Sequence, residues 1–273
     1  MESKFVMAGD IRTHYLEAGE GGETLILLHG GEYGGCAENS FEYNIDALAE
    51  HFHVYAVYMV GFGLTDKVFH FGNMRSFRIR HIRRFMETLC IESASFIGNS
   101  TGGGLPLEVA SMPNPVWNIK KIITISGGGP NNPEAHRMMN GYDGTKAYMK
   151  RIHELMFVHD RWKTDDYVEK RYRSSIVPGA WECLSAARFR APGAAAETPA
   201  SHPGYSPAFR NIRVPVLIVA GDRDALKPPD YAEKLAELIP NREVARFSDC
   251  GHCAQIEFAD DFNRLAADFL LNE

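Results

Sequence analysis

Short apolar runs alternate with helix-compatible stretches through the first half of the chain. Runs at 5–8, 12–17, 24–29, 54–59, 93–98 and 121–126 have strand length and predict strands. Between them, 41–50, 77–89 and 102–111 predict helices. The pattern changes after Gly127-Gly128-Gly129-Pro130: residues 131–190 are rich in Met, Tyr, Trp and charge, with helical spacing and little strand signal. An Ala/Pro/Gly/Ser-rich stretch at 191–207 reads as a loop or hinge. Alternation then resumes, with strands at 214–220 and 243–247 and helices at 230–239 and 258–271. Alternation, helical insert and alternation again predict an α/β fold: one mostly parallel sheet flanked by helices, carrying an inserted helical cap. The expected division is a core of 1–126 and 209–273 and a cap of 127–208. In such sheets the chemistry gathers beyond the C-terminal ends of the strands.

Composition narrows the partners. Of 273 residues, 45% are hydrophobic and 23% charged, enough for a sizeable core under a polar surface. The net charge is −6 and no Lys/Arg run exceeds two residues, which argues against nucleic acid or an anionic membrane. The locally basic stretch 75–84 interleaves Phe77, Ile79 and Ile82, with Phe85 following, and reads as an amphipathic helix with a charged outer face. No apolar stretch approaches the roughly 20 residues of a membrane span, and Met1-Glu2-Ser3-Lys4-Phe5 lacks a signal-peptide core. Five scattered cysteines fit free thiols in a reducing compartment. The expectation is a cytoplasmic protein acting on a small molecule, with self-association left open.

Candidate chemistry centres on Gly98-Asn99-Ser100-Thr101-Gly102. This G-x-S-x-G stands between a predicted strand and a predicted helix, the setting of a nucleophile elbow. A serine hydroxyl needs a base, and the base a carboxylate to orient it. Among eleven histidines His252 is favoured, because Ser248-Asp249-Cys250-Gly251-His252 follows the last strand and precedes the closing helix. Gly221-Asp222-Arg223-Asp224 follows another strand and offers two carboxylates; Asp224 lies farther into the loop and is preferred, leaving Asp222 to cap the turn. Oxyanion donors are expected from the N–H groups of Thr101 and of Gly31, in the loop that closes the third strand, with His29 shaping that loop. Cys250-Gly251-His252-Cys253 lacks a second Cys/His pair at zinc-site spacing. Acyl chemistry of this kind implies no cofactor.

With these residues in place, the chain resembles the α/β-hydrolase superfamily over essentially its whole length, and within it the meta-cleavage product hydrolases. Gly98 through Gly104 is similar to that branch's elbow, including Asn99 before the nucleophile. Cys250 through Phe269 is similar to its closing segment, and Asn39-Ser40-Phe41-Glu42-Tyr43-Asn44 to its substrate-side segment, which implies substrate-facing roles for Asn99, Ser40 and Asn44. Thr164-Asp165-Asp166 and Arg171-Tyr172 resemble its cap pattern, and the branch's cap arginine, which meets the dienoate end of the substrate, falls on Arg171. Without the resemblance, Arg171 between Lys170 and Tyr172-Arg173 reads as a surface arginine. Three positions depart from the branch: Cys253 replaces the Trp that usually follows the catalytic histidine, Tyr58 replaces an Asp, and Glu32 replaces a third glycine. Any of them could reshape the pocket.

The resemblance implies a fold of α/β-hydrolase type and cleavage of a carbon–carbon bond in a 2-hydroxy-6-oxo-hexa-2,4-dienoate. A carboxylesterase or lactonase using the same Ser100, His252 and Asp224 stays open, as does a ligand-binding receptor on a hydrolase scaffold. Dehalogenase and epoxide-hydrolase chemistry fits poorly, since those elbows carry Asp where this one carries Ser100.

Overall fold

The computed structural model describes residues 1–188 and 206–272. The first three strands are β1 (Glu2–Ala8), β2 (Ile11–Ala18) and β3 (Glu23–Leu28). Two short helices, α1 (Ala37–Phe41) and α2 (Ile45–Leu48), then lead to β4 (Phe52–Val57). Next come α3 (Met74–Thr88), β5 (Ala94–Asn99), α4 (Thr101–Ser111) and β6 (Ile119–Ile125). After the segment that follows β6, the chain closes with β7 (Val216–Gly221), α9 (Tyr231–Ala236), β8 (Arg242–Phe247), α10 (Ala254–Glu257) and α11 (Ala259–Leu271). All eight strands form one sheet in the order β1-β2-β4-β3-β5-β6-β7-β8. β1 and β2 make an antiparallel hairpin, β2 meets β4 antiparallel, and the remaining pairs are parallel.

The period of two along a strand divides the core. Ile26 and Leu28 of β3 join Phe96, Ile122 and Ile218 on one face, under Ile82 and Phe85 of α3, Leu105 of α4 and Leu235 of α9. Leu25 and Leu27 join Ile97, Ile123 and Leu217 on the other, under Phe41, Ile45 and the α11 residues Phe262 and Leu270. Helices on both faces explain why the central strands read as unbroken apolar runs rather than alternating ones. The edge strand β8 is different: Arg242 and Glu243 at its start are exposed, which guards an open edge against further pairing.

Between β6 and β7 the described residues form α5 (Pro133–Asn140), α6 (Lys146–Met156), α7 (Asp165–Ser175) and α8 (Ala180–Ser185), with short 3-10 turns. Tyr142, Met149, Ile152, Met156, Phe157 and Val168 build a core of their own here, touching Tyr33 beyond β3 and Cys253 and Ile256 near the chain's end. The loop or hinge expected at 191–207 lies outside the described residues except for its last two.

Two expectations need correction. The helix expected at 41–50 is shorter: α1 ends at its first residue, the chain turns at 42–44, where the Asn44 side-chain amide donates to Gln255 O at 2.9 Å and Asn263 Oδ1 at 2.8 Å, and only α2 (Ile45–Leu48) is helical within it. The basic helix α3 does bury Ile79, Ile82 and Phe85, but its charged face is not wholly solvated. Arg75 turns inward to Glu108 and donates to Gly104 O at 2.7 Å, and the Arg78 guanidinium lies 5.1 Å over the Phe62 ring.

Candidate active site

The elbow is built by crowding. Ser100, between β5 and α4, holds φ 52° and ψ −115°, a conformation that side chains other than glycine rarely adopt. Ser100 N donates to Ile125 O at 2.8 Å and Gly104 N to Ser100 O at 3.0 Å, so the strained residue is pinned from both sides. A Cβ on Gly98 would stand 2.3 Å from Gly102 C, and one on Gly102 would stand 2.1 Å from Leu28 O. Those two glycines let β3, β5 and α4 meet where the hydroxyl emerges. On the neighbouring loop, a Cβ on Gly31 would lie 2.5 Å from Thr101 Oγ1, so these two residues lie side by side.

His252 and Asp224 are both buried and joined, His252 Nδ1–H donating to Asp224 Oδ2 at 2.8 Å. The other carboxylate oxygen accepts from Leu226 N at 2.9 Å, so each oxygen has one task. This fixes the tautomer: with its proton on Nδ1, the ring presents an Nε2 lone pair. Burial would push the Asp224 carboxyl up, but the His252 ring and the Leu226 N–H outweigh it and hold it below the usual range. Asp222 instead accepts from Cys250 N at 3.3 Å, a turn-stabilising bond. His252 is tied to the elbow by Asn99, whose Nδ2 donates to His252 O at 3.1 Å. Cys253 Sγ lies 4.0 Å from Asn99 Oδ1, and burial raises its thiol pKa well above the ordinary value.

His29 shapes its loop: Nδ1–H donates to Gly30 O at 2.7 Å and Nε2 accepts from Met59 N at 3.0 Å. Tyr58 packs its ring 4.2 Å from that of His14 and is almost wholly buried. Ser40 and Asn44, expected to face substrate, also hold the helices behind the site together. Ser40 O accepts from Gln255 and the Asn44 amide is held by Gln255 and Asn263, so both brace α10 and α11 against α1 and α2. Arg171 is no surface residue: its side chain is 2% exposed, and its guanidinium is ion-paired with Glu32, itself 5% exposed. Burial works against both charges, yet each partner's field outweighs it, lowering the Glu32 pKa and raising that of Arg171.

Sequence reasoning missed two supports. Glu257, buried at the end of α10, accepts from Gly251 N at 2.7 Å, Val158 N at 3.0 Å and His159 N at 3.1 Å. It looks in sequence like one more acid of a closing helix, and only the fold brings three donors to it. Lys227 lies buried beside the Asp224 loop, donating to Gly128 O at 3.0 Å, and burial lowers its pKa to about 8. No composition signal marks it.

A strained serine at a strand–helix elbow, bound through its neighbour Asn99 to a loop with a buried His–Asp pair at the C-terminal edge of a parallel sheet, is a hydrolase arrangement. The sequence profile of the alpha/beta hydrolase fold matches residues 23–259, and the chain belongs to that family. More particularly, it is 32% identical to the 2-hydroxy-6-oxo-6-(2'-aminophenyl)hexa-2,4-dienoic acid hydrolase of Metapseudomonas resinovorans, over 98% of this chain and 90% of that one. It is 30% identical to the 2-hydroxymuconate semialdehyde hydrolase of Pseudomonas sp. (strain CF600), over 97% and 92% respectively. Its fold superposes on a meta-cleavage product hydrolase from Pseudomonas fluorescens IP01 with a TM-score of 0.87 at 28% identity, covering 98% of this chain and 97% of that one. No helix of the described residues is long and apolar enough to cross a membrane.

Proposed function

We propose that this chain hydrolyses a carbon–carbon bond in a 2-hydroxy-6-oxo-hexa-2,4-dienoate-type product of aromatic ring fission. On this reading the insertion expected at 127–208 is the cap, and 1–126 with 209–273 the core. The observation that carries the reading is the buried His252–Asp224 pair bound through Asn99 to the Ser100 elbow, in a chain similar end to end to hydrolases of this chemistry. Ketonisation of the dienol turns the carbon chain of the substrate into a leaving group. Ser100 passes its proton to His252 Nε2 and attacks the 6-oxo carbon, while the N–H groups of Gly31 and Thr101 receive the oxyanion. The bond from C6 to C5 breaks, its electron pair leaving as a dienolate that takes up the proton held on His252 Nε2, which returns the ring to its neutral form. Water, deprotonated by His252, then releases the acyl group from Ser100. No step needs a metal or a redox cofactor, and the five free thiols suit a cytoplasmic setting.

The test is bleaching of the coloured 6-phenyl dienoate, followed by its visible absorbance. The wild-type protein is expected to bleach it, and Ser100→Ala to lose turnover by about 10⁴-fold or more. Bleaching that survives Ser100→Ala would refute the mechanism. A second reading, an esterase or lactonase using the same three residues, is favoured by the Glu32 carboxylate on Arg171, since it fits an uncharged substrate. Fast hydrolysis of neutral esters without bleaching would select it.

A further inference from the structure

The ion pair of Glu32 and Arg171 joins the loop after β3 to α7, and it stands close to the reacting groups. Glu32 is next to Gly31. A Cβ on Gly30 would fall 2.0 Å from Glu32 Oε2 and 3.3 Å from Asn99 Oδ1, the amide oxygen beside the nucleophile. The loop is shaped around the pair. A Cβ on Gly35 would stand 3.0 Å from Glu32 Oε1, and one on Gly34, where φ is +75°, would stand 2.2 Å from Arg171 O. These glycines make the room in which the carboxylate and the arginine lie together out of water.

We infer that Glu32 is a specificity-determining residue: an internal carboxylate that occupies Arg171 and cancels the advantage a substrate carboxylate would draw from it. The inference rests on the proposed dienoate substrate. A second carboxylate brought to this place meets a pair of zero net charge, attracted by the guanidinium and repelled by Glu32. Expelling Glu32 is no escape, because a buried carboxylate stripped of its partner is strongly disfavoured. The site therefore binds its ligand through the apolar body and the ketone, and takes the C1 acid no better than an uncharged C1 ester. Glu32 does this through Arg171, so its signature is a change in acid-against-ester selectivity rather than a general loss.

The experiment measures Kd for the 6-phenyl dienoate and for its C1 methyl ester, by titration of their visible absorbance against Ser100→Ala protein, where nothing turns over. With Glu32 in place the two Kd values are expected to agree within about threefold. Adding Glu32→Gln is expected to tighten the acid by at least about tenfold and to move the ester by less than about twofold, the size of effect one close charge pair carries. An acid preferred tenfold or more with Glu32 present would overturn the inference, and this arm needs no variant at Glu32 to fold. So would a Glu32→Gln protein that binds the acid no more tightly, or that loses both ligands alike, the mark of a mere tie between loop and cap helix. Failure of the dienoate reading shows separately, as absent bleaching by the protein with Ser100 intact; if neither probe binds, both readings fall together.

Discussion

Single residues carry the chemistry through the hydrogen bonds they are allowed. Asp224 matters because its two oxygens are divided between Leu226 N–H and His252, which leaves the ring one tautomer. Asp224→Asn would present an amide that can turn either way and hold the wrong tautomer, so kcat should fall about 10³–10⁴-fold with the fold intact. Circular dichroism alongside single-turnover rates checks this; a loss below tenfold would remove Asp224 from the triad. The same logic governs two other buried histidines. His81 lies between Thr13 Oγ1 on its Nε2 and Val60 N on its Nδ1, and His29 between Gly30 O and Met59 N, so each is neutral with one proton assigned. Burial lowers their pKa values to about 3 and about 4. Between those values and the ordinary value near 6.5, the unfolded chain binds protons that the folded one refuses. Stability should therefore be full above about pH 6.5 and fall as the medium is acidified, each ring adding up to about 1.4 kcal/mol per pH unit. Urea midpoints at pH 7.5 and pH 5.5 test it, and equal midpoints would contradict it. The elbow serine and its histidine were legible at this scale from local motif and position. Glu32 was visible only as a missing glycine, because a charge pair between residues 139 positions apart leaves no local trace.

At the level of elements, strands were easier to read than helices. A run such as Thr24-Leu25-Ile26-Leu27-Leu28 is apolar on both faces because helices cover both, and β3 ends one residue before the expected boundary. The helix expected at 41–50 failed because its apolar spacing continues across a turn that only the partners of Asn44, over 200 residues away, explain. Arg75 and Arg78 similarly look like a solvated face until α4 and the Phe62 loop are packed beside them. The elbow itself depends on three elements touching, so Gly102→Ala, which sets a Cβ 2.1 Å from Leu28 O, should destabilise the protein by about 2–4 kcal/mol. Denaturant titration measures this, and a change under about 0.5 kcal/mol would mean that β3 and α4 can separate freely.

Over the whole molecule, the alternating order of strands and helices disclosed a core with an insertion, but the joints between them came only with the fold. The histidine loop is held by the helical segment: His252 N donates to Met156 O at 2.8 Å, and Arg161 Nη2 to Glu257 O at 2.6 Å. Glu257→Ala would strand three N–H groups at once, that of Gly251 buried and those of Val158 and His159 partly so, so unfolding free energy should drop by about 2–4 kcal/mol. Because His252 sits on that loop, kcat should fall more than KM rises. Denaturation and steady-state kinetics on one preparation test both halves, and a drop in stability with unchanged kcat would dissociate the joint from catalysis.

That joint also governs recombination. Exchanging the stretch between β6 and β7 for another hydrolase's would transplant Met156, Val158 and His159 while leaving behind the residues that answer them. The inheritable module is discontinuous, the stretch between β6 and β7 together with 251–257, and a chimera cut at the obvious boundaries would leave the His252 loop without the partners that align it.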